Sequence, residues 1–65
     1  MYSLNQIINE AVEKNDIKTL EQLESDISEV IEFTRKRTLN LMFYKQAVIN
    51  RLLVQNAIIK VLWKQ

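Results

Sequence analysis

Sixty-five residues, 48% apolar and 26% charged, make one small globular domain at most. A chain this short hides only about 60% of its unfolded surface, so a disulfide, a metal or a partner is needed to reinforce its core. With no Cys and no His, disulfides, thiol nucleophiles, imidazole bases and zinc fingers are excluded together, and self-association is the expected remedy. No pairing of nucleophile and base suggests itself, so the chain reads as a non-enzyme without a cofactor or metal.

The absence of both Gly and Pro removes the residues that punctuate turns and break helices, and the whole chain reads as all-α. Ser3-Leu4-Asn5-Gln6 fits a capping box, after which Leu4, Ile7, Ile8, Ala11 and Val12 share one helical face, predicting a first helix over 4–14. Asn15-Asp16 is the best break, because both side chains favour turns and Asp16 can cap the next helix. The second helix is expected over 17–36. Its apolar residues Ile17, Leu20, Leu23, Ile27, Val30 and Ile31 are spaced close to the a/d seam of a coiled coil. Asp26-Ile27-Ser28-Glu29 resembles another capping box, but it interrupts nothing in this rhythm and reads as helix interior.

An unbroken helix from 17 to 64 would be about 72 Å long, too long for one small protomer to cover, so a turn or a partner is required. Thr38 or Asn40 is the expected hinge, with a third helix over 40–63. That helix is apolar on more than one side. Leu41, Tyr44, Val48, Leu52, Ile59 and Leu62 form one stripe, and Phe43, Ala47, Val54, Ala57, Ile58 and Val61 form another. Two apolar faces imply two neighbours. Polar residues interrupt the stretch from Leu39 to Trp63 too often for a membrane span, and the amphipathic opening MYSLNQIINEAVEK is not a secretory signal. The cytoplasm is the expected compartment.

Charge is unevenly divided. Met1 to Phe33 carries eight acids and two bases, whereas Thr34 to the end carries seven bases and no acid, although the chain totals only +1. Antiparallel packing of the second and third helices, within one chain or across a dimer, would place the two halves in mutual attraction. The competing reading is a contact with phosphates or an acidic partner through Arg35, Lys36, Arg37, Lys45 and Arg51. The aromatic residues Tyr2, Phe33, Phe43, Tyr44 and Trp63 are expected to fill the core, as is Met42. The i, i+3 carboxylate pairs Glu10 and Glu13, Glu21 and Glu24, and Glu29 and Glu32 read as solvated faces, and Asn50 and Asn56 as candidate register-setting amides.

Leu4-Asn5-Gln6-Ile7, Thr19-Leu20-Glu21, the seam residues Leu23, Ile27, Val30 and Ile31, and the basic end at Arg35 to Arg37 together give Ser3 to Arg37 a pattern. It resembles the N-terminal dimerisation domain of H-NS-like nucleoid proteins, over a little more than half the chain. The resemblance implies an intertwined, coiled-coil-like homodimer of two short helices and one or two long ones. Its interface would be Leu4, Ile7, Ile8, Ile17, Leu20, Leu23, Ile27, Val30 and Ile31. The family's glycine- and proline-containing DNA-binding module has no counterpart here, and Ile8 stands where the family usually has an Arg that contacts Hha-type co-regulators. What is implied is a truncated, nucleoid-associated modulator that joins H-NS-like silencers in mixed oligomers and weakens their filaments. Two other readings stay open: a small helical chaperone with a partner groove at Leu52, Val54 and Ile58, and the less favoured nucleic-acid binder through the basic residues named above.

Overall fold

The computed structural model describes residues 3–36 and 41–64 in full and the backbone of Arg37. Among these residues there are three helices and no strand: α1 (Leu4–Glu13), α2 (Ile17–Arg37) and α3 (Leu41–Lys64). The fold is all-α, with one short helix and two long ones. The hinge expected at Thr38 or Asn40 and the core role expected of Tyr2 lie outside the described residues.

Local chemistry sets the helix ends. At the start of α1 the Ser3 backbone N–H donates to Gln6 Oε1 at 2.8 Å, and the Gln6 N–H donates to Ser3 Oγ at 3.2 Å, which completes the capping box. At the other end Asn15 adopts φ 54°, the left-handed conformation that a side-chain amide tolerates better than most. The Asp16 N–H then reaches Ala11 O at 2.8 Å and the Asn15 N–H reaches Val12 O at 3.2 Å, the paired bonds of a Schellman stop. Asp16 immediately caps α2, taking the Thr19 N–H at 3.2 Å and the Thr19 hydroxyl at 2.6 Å. One two-residue junction thus ends one helix and begins the next. α2 runs without interruption through Asp26 to Glu29, where Asp26 accepts from Gln22 Nε2 instead of capping anything.

α2 and α3 form an antiparallel hairpin. Leu20, near the start of α2, packs with Val54, Ala57 and Val61 of α3, whereas Ile27 and Val30 border the same small hollow as Phe43 and Ala47. α1 folds over the open end and contributes Ile8 and Ala11 to the core. At 1.5 Å per residue α3 is about 36 Å long, and it sets the 39 Å long dimension of the molecule. Leu20, Val54 and Val61 are completely enclosed, each stabilising the fold by roughly 1.5–3 kcal/mol. Ala11, Ala47 and Ala57 are also buried, and their small side chains let the helices approach closely.

That close approach excludes rings from the core. Trp63 is 85% exposed, Phe33, Phe43 and Met42 are exposed as well, and Tyr44 is only half-buried, so the expected aromatic core is not what fills this interior. Thr34 is the one buried polar residue among those described, and its hydroxyl donates to Val30 O at 2.8 Å, one turn back.

Candidate functional site

α3 is apolar nearly all the way round, and the hairpin uses only one side of it. Advancing 100° per residue, Ala47, Val54, Ala57 and Val61 fall on the side facing α1 and α2, and all four are buried. Roughly opposite lie Leu41, Val48, Leu52, Ile59, Leu62 and Trp63. Leu52, Ile59 and Leu62 are 53%, 50% and 55% exposed, and Leu41 is more exposed still. Only Val48 in this row is half-buried. The sequence's two apolar stripes therefore have different fates. One supplies most of α3's share of the core, and the other is mostly exposed, with Tyr44 and Val48 half-buried and Ile59 at the edge of a cleft against α1.

The row has the spacing of a heptad seam, with Lys45, Leu52 and Ile59 at a-like and Leu41, Val48, Gln55 and Leu62 at d-like positions. Its borders carry Lys60 and Arg51, and α3 contains no acid at all. Exposed Met42, Ile49 and Leu53 widen the apolar surface on one flank. A monomer of 7.7 kDa exposes roughly 4,300 Å² by the usual scaling of surface with mass. This chain exposes 5195 Å². The excess, about 900 Å², belongs to the chain as a whole.

The other candidate sites are arranged differently from their sequence reading. The α2 seam is closed inside the single chain: Leu20 is fully enclosed, Ile31 and Ile8 are buried, and Leu4, Ile17, Leu23 and Ile27 pack partly buried against the core. Ile7 is half-buried, and only Val30 of that set counts as exposed. α3 occupies the position that a partner helix was expected to take. The groove of Leu52, Val54 and Ile58 is not one surface either. Val54 is fully buried and Ile58 packs against the core, while Leu52 points to the opposite side of α3. Spacings of two and four residues around a 3.6-residue turn cannot bring all three onto one face.

The basic residues do not gather. Arg35 Nη2 is held 3.0 Å from Glu32 Oε2, and Lys36 and Lys45 are exposed. Arg51, six residues beyond Lys45, is turned about 120° from it and is half-buried, its Nε enclosed without a hydrogen-bond partner among the described residues. The Arg37 side chain lies outside the described residues. Charge segregation between the halves also makes no direct bridge among the described residues. Both ion pairs, Arg35 to Glu32 and Lys14 to Glu10 at 2.8 Å, lie within one helix or at its end and are solvent-exposed, so each is worth little. The hairpin is held by apolar packing.

Two ionisable groups are displaced from their ordinary values, and both sit at the α1–α2 junction. The Thr19 hydroxyl, and then the Thr19 backbone N–H, hold the Asp16 carboxyl below the usual aspartate range. The hydrogen bond to Glu10, reinforced by its charge, raises the Lys14 ammonium. Both shifts belong to helix capping and not to a reactive site. Among the described residues no group of three or more acids gathers in a way that could hold a metal ion, and no helix is long and apolar enough to cross a membrane. An open cleft of about 440 Å³ separates α1 from the C-terminal half of α3, lined by Asn5, Asn9, Asn56 and Lys60 above Ile8 and Leu53. Asn56 faces this cleft, and half-buried Asn50, which accepts from Gln46 Nε2 at 3.0 Å, borders the hollow between α2 and α3.

Comparison with protein-family models, with curated proteins and with solved structures finds no match to this chain.

Proposed function

We propose that the chain is a non-enzymatic association module whose working surface is the outer face of α3. The observation that carries this reading is the row Leu41, Leu52, Ile59, Leu62 and Trp63, exposed along a helix whose opposite side is already packed. Such a continuous apolar surface is what a helical partner covers, and scattered single apolar residues would not amount to one. Its cationic and amide border, with no carboxylate on α3, favours a partner that brings no further positive charge against Lys60 and Arg51.

The narrower reading, a modulator that enters mixed oligomers with H-NS-like silencers, rests on the resemblance over Ser3 to Arg37. It requires the hairpin to open, because Leu20 and Ile31 are enclosed by the chain's own helices. The outer face of α3 makes no such demand. A photo-reactive benzophenone side chain replacing Leu52, compared with the same group replacing exposed Glu29 on α2, tests the site in the producing cell. Adducts of discrete mass are expected from position 52 and not from position 29. Equal yields from both positions, or none from position 52, would contradict the assignment.

A further inference from the structure

Resting on that reading, we infer that the occupant of the outer α3 face is an amphipathic helix of another protein that sets a carboxylate against Lys45. At 100° per residue Lys45 falls in line with Leu41 and Leu52, so an ammonium stands inside the apolar row and not at its border. It is exposed and takes part in neither ion pair among the described residues. Covering it with apolar surface alone would strand a charge away from water, and the complement that prevents this is an Asp or Glu in the partner's own row. A single charged residue in an otherwise apolar seam selects its partner in this way.

A second copy does not supply that complement. All eight acids of the chain precede Phe33, α3 has none, and the acidic outer side of α2 carries only Val30 and Phe33 as exposed large apolar residues. Gln55 also lies in the row, on the other side of Leu52, and it is half-buried. The acyl chains of a lipid surface would offer neither the ammonium nor this amide a partner, whereas a protein helix carries side chains for both. From Leu41 to Ile59 the row is about 27 Å long, which an amphipathic helix of about 18 residues matches.

Trp63 is the only Trp of the chain and is 85% exposed at the end of the row, so its emission reports when the face is covered. The probe is a Trp-free amphipathic peptide about three heptads long whose leucine row holds one central Glu, beside versions with Gln or Lys at that position. A blue shift is expected with the Glu peptide, at a midpoint concentration about tenfold or more below that of the Gln peptide, and Lys45→Glu is expected to reverse the order in favour of the Lys peptide. Equal midpoints for the Glu and Gln peptides would overturn the carboxylate and leave a helix-binding face in place. A shift with phosphatidylglycerol vesicles but with no peptide would overturn the helix as occupant, as would no shift with any probe while the benzophenone at position 52 still gives discrete adducts. Absence of those adducts would overturn both this inference and the reading it rests on.

Discussion

Asn15 and Asp16 show how two residues do the work that glycine and proline do in most chains. Asn15 takes the left-handed conformation at φ 54°, so Asn15→Gly is expected to leave stability unchanged or to raise it slightly. Asn15→Val places a β-branched side chain where the backbone forbids it and is expected to cost about 1–2 kcal/mol, read from urea unfolding. Equal stability of the two variants would mean that the turn does not need this conformation. At Asp16 the folded carboxyl ionises below its ordinary value because Thr19 donates to it twice. The contribution of the cap is therefore complete above the ordinary aspartate pKa, and it is lost as pH falls through the lower folded value. Thermal midpoints of the parent should drop on the acid side of that range, and those of the Asp16→Ala variant should start lower and drop less. Parallel curves would contradict the capping role.

At the level of elements, patterns with a local cause could be read directly from the residues. The Ser3 and Gln6 box and the Asn15-Asp16 junction need only neighbours in sequence, and the structure carries the hydrogen bonds that each implies. The two apolar stripes of α3 could also be read, since they follow from a 3.6-residue period. Which stripe is covered could not. The spacing of Leu20, Leu23, Ile27 and Ile31 fits a seam between two chains as well as a seam between α2 and α3 of one chain, because periodicity records a neighbour and not its identity. The groove of Leu52, Val54 and Ile58 failed for a different reason, since hydrophobicity alone placed residues of opposite faces together. The same distinction predicts opposite outcomes for two leucines. Leu20→Ala opens a cavity in the core and is expected to cost about 2–5 kcal/mol. Leu52→Ala, on the outer face, should change the stability of the isolated fold by less than about 0.5 kcal/mol. Similar losses at both positions, measured by denaturation at low protein concentration, would contradict the assignment of the two faces.

For the whole molecule, the decisive property is an imbalance between apolar content and core size. A fold of 65 residues with three fully enclosed large side chains among those described has more apolar surface than its own interior can take in. The surplus is not spread evenly. It lies mostly on α3, beside cations and amides, with Val30 and Phe33 the exposed large apolar residues of α2. The acidic outer side of α2 carries no comparable row. The segregated charge remains a property of the molecule's field, because the described ion pairs are local and exposed. Association through α3 should accordingly be insensitive to moderate salt, as expected of an apolar contact whose charges are covered or sit at the border. An interface made by the basic residues would instead weaken steeply as salt rises.

The most direct measurement is size-exclusion chromatography of the chain from the producing cell beside a Leu52→Glu/Ile59→Glu variant whose helicity is verified by circular dichroism. The parent is expected to elute well above the 7.7 kDa of one chain, and the variant as a folded single copy. A variant that associates as the parent does would place the contact elsewhere on the molecule and contradict the role assigned to the outer face of α3.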